Sequence, residues 1–286
     1  MTAALVAGGV VLAGAGPAAA QHPGRNGEQV VLSDSGPRWE CGSGTSESAY
    51  YLDYSGATGA QGGAYSPDGK VLAVNAEDVY RERSGVLLVT GPSSDTTCAG
   101  LRFLPGAIDT GTHLAFSPDG KSIAIQRASN VQIISASTGA LVRNLTPGLP
   151  AGTYAKDPTW DPKGRAIAYT ATDGIRTRPP GGGAGKLLIK GTGLSRPEYS
   201  PDGRYLAYLT GGYIAYADAV TGKLVKRTPI KAVDFRYSPD GLSFVFSTGV
   251  ANFDGANCPV ANLNGKITSR VYADAYCEVV AWQPLR

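Results

Sequence analysis

The apolar residues of this chain occur in short runs that are separated by turn-forming residues. Within two of these runs, 71–74 and 123–125, residues alternate between two faces and both faces are apolar, which is typical of strands covered on both sides. No helical periodicity is sustained after residue 25 for the length of a stable amphipathic helix. Gly and Pro number 39 and 19, which favours many turns. The pattern therefore predicts an all-β protein.

One phrase recurs, in which an aromatic residue is followed by Ser-Pro-Asp-Gly and an apolar strand. Near-complete copies occupy 65–75, 116–126, 199–209 and 237–247, a degenerate copy occupies 160–170, and a truncated copy occupies 281–286. Successive prolines of these copies are 51, 44, 39, 38 and 45 residues apart. Four strands with their turns need about 40 residues. Each repeat therefore predicts one four-stranded antiparallel sheet.

The chemistry of the phrase predicts a hairpin turn between two strands. Proline presets φ at the first corner, Asp can accept a hydrogen bond from the turn's own backbone, and Gly tolerates the left-handed conformation. An aromatic residue stands two positions before the proline of each of the six copies. We expect these six residues to pack between neighbouring sheets. They are Tyr65, Phe116, Trp160, Tyr199, Tyr237 and Trp282.

Sheets that are apolar on both faces and repeat along the chain predict a closed ring, a β-propeller. The sixth copy supplies a single strand, and three strand-like runs, 28–34, 37–42 and 48–54, precede the first copy. We therefore expect a six-bladed propeller over 28–286, whose last blade combines three N-terminal strands with one C-terminal strand.

The repeated phrase is similar to the WD40-like PD40 repeat of TolB-type β-propellers, and the resemblance extends over residues 28–286. It implies the propeller fold. TolB itself resembles a two-domain protein with an α/β domain before the propeller, and we expect no such domain in this chain. The resemblance therefore implies the fold more strongly than any role of TolB.

Residues 1–20 are uncharged and end in Ala-Ala-Ala, which predicts a secretory signal peptide cleaved after Ala20, although they lack a basic start. A retained anchor is the alternative. Residues 21–27 would form a short linker, and the mature chain would have no membrane span. Export and an even number of cysteines favour two disulfides. Among three possible arrangements we prefer Cys41–Cys98 with Cys258–Cys277, and buried free thiols are the alternative.

The sequence offers few residues for catalysis or metal binding. It has two histidines, no Gly-x-Ser-x-Gly elbow and no Cys-x-x-Cys spacing, and the glycine run 178–186 lacks the residues of a phosphate-binding loop. We therefore expect no catalytic residues, no metal and no cofactor. A net charge of +3 with interspersed signs argues against nucleic-acid binding.

Candidate binding residues lie at the end of the propeller opposite the repeated turns, where the loops gather. Five positions before four of the prolines stand His113, Asp157, Arg196 and Asp234, which we expect to surround the channel mouth. Aromatic residues and Arg often anchor interfaces, which predicts an outer ring of contacts. These are Tyr80, Arg81, Arg83, Tyr154 and Tyr276. In the alternative interpretation, the four polar residues only solvate the rim.

The sequence favours a secreted or cell-envelope binding module, monomeric and non-enzymatic, that recognises a protein or an envelope polymer. An alternative is a hydrolase or lyase acting on a glycan or peptide, with Asp157 and Asp234 as acid and base. A third possibility is a scaffold for a neighbouring polypeptide that carries the activity.

Overall fold

The computed structural model describes residues 11–13, 25–32, 38–41, 48–52, 63–78, 83–90, 101–105, 113–249, 256–273 and 278–285. All regular secondary structure in these residues is β-strand, and all strand pairs are antiparallel. The prediction of an all-β chain is confirmed.

Five four-stranded blades follow one another along the chain. The first consists of β5 (Gly63–Tyr65), β6 (Val71–Asp78), β7 (Arg83–Thr90) and β8 (Leu101–Pro105). The second consists of β9 (Ala115–Phe116), β10 (Ser122–Arg127), β11 (Asn130–Ser135) and β12 (Leu141–Asn144). The third consists of β13 (Ala155–Trp160), β14 (Ile167–Ala171), β15 (Gly174–Arg178) and β16 (Lys186–Lys190). The fourth consists of β17 (Leu194–Tyr199), β18 (Tyr205–Thr210), β19 (Tyr213–Asp218) and β20 (Leu224–Lys231). The fifth consists of β21 (Asp234–Tyr237), β22 (Ser243–Ser247), β23 (Ala256–Asn262) and β24 (Ile267–Ala273).

The prediction of a sixth four-stranded blade is wrong. Only β1 (Val11–Ala13) and β2 (Arg25–Leu32) form a sheet with the C-terminal strand β25 (Glu278–Leu285), and this sheet has three strands. It lies where β25 contacts β5 of the first blade and β21 of the fifth. The runs 37–42 and 48–54 instead give β3 (Arg38–Cys41) and β4 (Ser48–Leu52), which extend the sheet of the first blade.

The different lengths of β5 and β6 explain this arrangement. β5 pairs with only the first part of β6, at Leu72–Val74, and leaves the same edge of Ala76–Asp78 without a partner. Backbone N–H and C=O groups on an open edge favour a further strand. β4 occupies that edge, with Tyr50–Leu52 opposite Ala76–Asp78, and so is not available to pair beside β25.

The repeated turns have the predicted chemistry. In the second blade Asp119 Oδ1 accepts a hydrogen bond from the Lys121 N–H at 3.1 Å, and Gly120 has φ of 70°. The hydroxyl of Ser117 also donates to Asp119 at 2.6 Å and accepts from the Ser122 N–H at 2.9 Å, a role that the sequence analysis did not assign. The same Ser–Asp contact recurs in the first, fourth and fifth blades. The degenerate turn of the third blade uses Asp161 where the others have Ser.

Each apolar core cluster spans two consecutive blades. Phe116 packs with Leu88 of the first blade, and Tyr237 belongs to one cluster with Tyr216 of the fourth. Trp160 and Tyr199 pack in the same way against the second and third blades. For these four aromatic residues, packing between neighbouring sheets is confirmed. Each of these four clusters therefore joins two neighbouring blades.

The predicted disulfides and N-terminal segments involve residues outside the described part of the chain. Of the four cysteines, Cys258 is fully buried in β23 and Cys41 ends β3, while Cys98 and Cys277 lie outside the described residues. Both predicted disulfides stay predictions, as do the signal peptide and the linker. In the described part of the chain, no helix has the length and apolar character that a bilayer crossing would need.

Gly120 tests the turn chemistry without disturbing the core. A Cβ at this position would meet only Pro67 Cδ at an ordinary 3.6 Å, so the cost of Gly120→Ala arises from its positive φ. We expect a loss of about 1 kcal/mol in the free energy of unfolding by urea. Gly181→Ala is the matched control, because its Cβ meets nothing within 4 Å and its φ is not positive. Equal effects of the two substitutions would contradict this account.

Candidate functional site

The innermost strand of each blade directs alternate residues toward the central channel. His113 lies just before β9, and Arg196 and Asp234 lie in β17 and β21, so they come from the second, fourth and fifth blades. The structure nevertheless brings their side chains into contact. His113 Nε2 is 3.0 Å from Asp234 Oδ1, and Arg196 Nη1 is 2.8 Å from the same oxygen. Three of the four residues predicted at the channel mouth therefore form one group.

Arg236 completes this group and is not among the residues predicted from the sequence. Its Nη1 lies 3.5 Å from Asp234 Oδ1 and 3.1 Å from His113 Nδ1, and it donates to the Phe235 carbonyl at 2.9 Å. Asp234 is fully buried, and the side chains of Arg196 and Arg236 are 13% and 10% exposed. We call these four residues the channel cluster: His113, Arg196, Asp234 and Arg236.

His113 is held by contacts on both ring nitrogens. Its Nε2 lies 2.6 Å from Arg196 Nη1 and 3.0 Å from Asp234 Oδ1, and its Nδ1 lies 3.1 Å from Arg236 Nη1. Burial lowers the pKa of His113, and the neighbouring Arg236 and Arg196 lower it further, against the opposing effect of Asp234. The imidazole is therefore neutral at pH 7.

Asp234 is held in its ionised form. Burial alone would raise its pKa, but Arg196, His113 and Arg236 together hold the pKa of the Asp234 carboxyl well below its usual range. A carboxylate that stays ionised in this way cannot donate a proton near neutral pH. Its contacts suit the joining of three blades rather than general acid catalysis.

Asp157 and Arg196 have backbone conformations that residues other than glycine rarely adopt. Among described non-glycine residues with positive φ, two lie in a two-residue turn and the others are Asp157, at 51°, and Arg196, at 52°. Each precedes a proline, and the strand register shifts at each of these two sites. Such bulges redirect side chains. A non-glycine residue with positive φ destabilises the folded state by about 1 to 3 kcal/mol through backbone strain.

The two strained residues are joined by hydrogen bonds. Asp157 Oδ2 accepts from the Arg196 backbone N–H at 3.4 Å and from the Thr170 hydroxyl at 3.2 Å. Asp157 is 5% exposed and Thr170 is fully buried. Asp157 thus attaches the third blade to the fourth beside the channel cluster, so all four predicted rim residues are placed around one end of the channel, and they are mainly buried.

The residues three positions before the six repeat prolines form a second ring along the channel. This ring surrounds a cavity of about 150 Å³. Four of its members are Ala or Thr, whose small side chains leave the space, and the others are Glu198 and Arg236. The ring consists of Ala64, Ala115, Thr159, Glu198, Arg236 and Ala281. The sequence contained a signal for the channel positions of Glu198 and Arg236. Polar and apolar residues alternate in 196–199 and in 234–237, and this alternation places Glu198 and Arg236 on the face of the strand that lines the channel.

Glu198 uses only part of its hydrogen-bonding capacity. Its Oε1 accepts from the Tyr237 backbone N–H at 3.0 Å, while its Oε2 is out of contact with solvent and has no hydrogen-bond partner. Part of the residue is exposed to the channel. Burial raises the pKa of Glu198 to about 8, against the opposing effect of Arg236. The carboxyl is therefore mainly protonated at pH 7.

A larger cavity of about 420 Å³ opens at the end of the channel where the repeated turns lie, and we call it the turn-side cavity. The six aromatic residues of the repeats and the six repeat prolines line it. Glu198, Tyr65, Tyr237 and Trp282 line both cavities and so lie where the two meet. The aromatic residues thus have a second role besides the predicted packing between blades.

The outer ring of predicted contacts is described only in part. Tyr154 lies just before β13, with Lys156 Nζ 5.2 Å from the centre of its ring. Arg83 begins β7, and Tyr80, Arg81 and Tyr276 fall outside the described residues. Within the described residues no three His, Cys, Asp or Glu side chains group as a metal site would require.

Solved structures with the same architecture identify the type of propeller. TolB from Acinetobacter baumannii is 22% identical, with a TM-score of 0.59, over 83% of this chain and 63% of the TolB chain. The fold is a TolB-like β-propeller. A protein assigned as TolB from Agrobacterium tumefaciens is 19% identical, with a TM-score of 0.55, over 79% of this chain and 90% of the other.

More distant propellers share the fold as well. A chain of a nidogen/laminin complex is 10% identical, with a TM-score of 0.58, over 82% of this chain and 89% of the other. No protein-family model matches the sequence, and no curated protein matches it significantly. Identities this low support the TolB-like fold and leave its ligand to be argued from the site.

Asp234 is expected to dominate the stability of the channel cluster. Asp234→Ala leaves two buried guanidinium groups without their carboxylate, which should lower the free energy of unfolding by about 3 to 5 kcal/mol. Asp173→Ala is the control, because Asp173 pairs with Arg176 on the surface, and such pairs contribute less than about 1 kcal/mol. Urea unfolding at pH 7 measures both. A similar small effect of the two substitutions would contradict the assigned role of Asp234.

Glu198 should give stability an unusual dependence on pH. Its pKa is about 8 in the folded protein and near 4.5 when exposed, so the folded state binds the extra proton between these values. Stability then falls as pH rises from about 4.5 to 8, by at most about 1.4 kcal/mol per pH unit. Glu198→Gln should match the wild type near pH 5 and exceed it at pH 8, as measured by urea unfolding. Any contribution of His113 cancels in this comparison, and parallel pH profiles would contradict the prediction.

Proposed function

We propose that this protein is an exported, non-enzymatic binding module that holds a protein or a cell-envelope polymer at the loop-side end of its channel. The observation that carries the proposal is the convergence of side chains from separate blades on Asp234. A propeller needs no such cluster to close, because the packing between blades already joins neighbours. A costly polar arrangement at one end of the channel points to that end as the ligand site.

Backbone strain beside the cluster supports the same end of the channel. Asp157 and Arg196 occupy equivalent places in two successive repeats, and both have positive φ. Strained residues persist where the surrounding structure fixes them, and they are concentrated at binding and active sites. The strain orients Arg196 toward Asp234 and lets Asp157 accept the Arg196 N–H. The end of the channel is thereby preorganised, which reduces the entropy lost when a ligand binds.

The charge state of the cluster favours binding over catalysis. The rival hydrolase or lyase would need Asp157 and Asp234 as acid and base, with one of them protonated. Asp234 is fully buried, and three nitrogen-bearing side chains hold it ionised. We therefore assign it a positioning role toward Arg196 and His113. The outer contacts in this proposal are Tyr154 with Tyr80, Arg81, Arg83 and Tyr276.

Export and a monomeric state belong to the same proposal. The uncharged N-terminal segment that ends in Ala-Ala-Ala supports a signal peptide, and the preferred pairings Cys41–Cys98 and Cys258–Cys277 suit an oxidising compartment. The TolB-like fold is consistent with a periplasmic or cell-envelope location. A TolB-like ring that closes on itself needs no second copy to complete its core.

The experiment begins with the mature chain as bait for the envelope fraction and the culture medium of the producing cell. With a retained partner in hand, Asp157→Ala and Arg196→Ala should each weaken binding at least tenfold, about 1.4 kcal/mol. Arg196→Lys keeps the charge without the bidentate fork and should give an intermediate loss. Titration calorimetry or surface-immobilised binding supplies the affinities.

Matched controls come from the exposed pair on the β14–β15 turn. Asp173→Ala and Arg176→Ala remove the same charges near the loop-side end without touching the channel cluster, and they should change affinity less than about twofold. Thermal unfolding identifies variants that fail to fold. Wild-type affinity in folded Asp157→Ala and Arg196→Lys would refute the proposal, as would turnover of a glycan or peptide library without any retained partner.

A further inference from the structure

The turn-side cavity has a chemical character that packing between blades does not explain. Six aromatic residues surround it, and Glu198 is the only acidic residue that lines it among the residues that the structure describes. Neither Lys nor Arg lines it in the described part of the chain, although the protein carries a net charge of +3. A carboxyl group within a ring of aromatic side chains is complementary to a cation.

Unused hydrogen-bonding groups point to a missing ligand at the same place. Glu198 Oε2 has no partner, and among the described residues Tyr237 Oη and Trp160 Nε1 are likewise buried without one. All three residues line the turn-side cavity. Buried polar atoms are normally satisfied, and unsatisfied ones in a native protein call for an explanation such as a bound ion or ligand.

We propose that the turn-side cavity binds an ammonium group, with Glu198 as its counter-ion and the aromatic ring around it. The group could be the quaternary ammonium of a small molecule or the side-chain ammonium of a lysine. The site lies at the opposite end of the channel from the proposed partner-binding end and does not depend on that function. Its volume of about 420 Å³ is within the range of small-molecule pockets.

The distance from the opening to Glu198 suits both sources. Three residues of strand separate each repeat proline from the ring that contains Glu198, which is about 10 Å. A small quaternary ammonium compound can enter completely, and a lysine side chain can reach most of this depth from a peptide at the rim. A lysine ammonium would donate a charge-assisted hydrogen bond to the Glu198 carboxylate, whereas a quaternary ammonium, which has no N–H, would pair with it through its charge alone.

Binding of a cation should displace the proton from Glu198. The carboxyl is mainly protonated at pH 7, and a positive charge beside it favours the ionised form. Affinity should therefore rise about tenfold per pH unit up to about pH 8 and then level off. The charged and titratable groups that face Glu198 from other strands and from the second blade are Arg236, Asp234, Tyr237, His113 and Tyr65.

The test uses choline, its neutral isostere 3,3-dimethylbutan-1-ol, and N-acetyl-lysine methylamide, each titrated calorimetrically into the mature chain. Choline is a suitable probe because it carries no proton that titrates in this range, so any proton released comes from the protein. At pH 7, buffers of different ionisation enthalpy should report close to one proton released. Binding of choline alone, or of the lysine derivative alone, supports the proposal and identifies which source fits.

Two variants make the test specific to Glu198. Glu198→Gln keeps the shape of the side chain and should weaken choline binding about tenfold or more while abolishing proton release. Asp119→Asn removes a carboxylate from the same end of the ring, outside the cavity lining, and keeps an oxygen for the turn. It should leave both quantities unchanged.

Three results would overturn the proposal. They are equal binding of the neutral isostere, undiminished binding by a folded Glu198→Gln protein, and the absence of binding by both cationic probes. Thermal unfolding at pH 5, where Glu198 is protonated in the wild type, establishes that the Gln variant is folded.

Discussion

Burial of two apolar faces on every blade is the constraint from which the rest of this structure follows. A single four-stranded sheet could cover neither face, and each apolar cluster accordingly contains residues from two consecutive blades. Leu88 and Phe116, or Tyr216 and Tyr237, are buried only because the next blade is present. A stack of such blades leaves an apolar face exposed at each end unless the ring closes. In this chain the three-stranded sheet of β1, β2 and β25 lies between the first and fifth blades.

The ring also determines what the centre of the molecule can contain. Innermost strands meet around the axis, so residues far apart in sequence approach one another, as His113 and Arg236 do at 3.1 Å. Burial there makes charge expensive unless it is paired, and the pairing is arranged around one carboxylate, Asp234. The low exposure of Arg196 and Asp157 follows from the same geometry. His113, Asp157, Arg196 and Asp234 are therefore largely buried and joined by contacts between blades.

The repeat made much of this predictable from the sequence. Turn chemistry, blade length and the packing of Phe116 and Tyr237 depend on local residues that recur, and the structure confirms them. The blade count was wrong because it depended on which strand pairs with the unoccupied edge of β6, a choice between distant segments that no local pattern encodes. The channel positions of His113, Arg196 and Asp234 could be counted back from the prolines. Their mutual contact, and the unpaired oxygen of Glu198, depend on how the ring closes.

The repeats are most alike where packing constrains them and differ most where it does not. Aromatic residues occupy the same place in all six copies, whereas the ring that faces the channel three positions before each proline holds three Ala, one Thr, one Glu and one Arg. Those residues line the channel cavity instead of the packing between blades, so chemistry can be placed there while the packing between blades is kept. Glu198 and Arg236 occupy adjacent copies of that position, and Glu198 Oε2 has no hydrogen-bond partner in the described part of the chain. The asymmetry of the channel, and with it any specificity, therefore arises from a few positions at which the repeats differ.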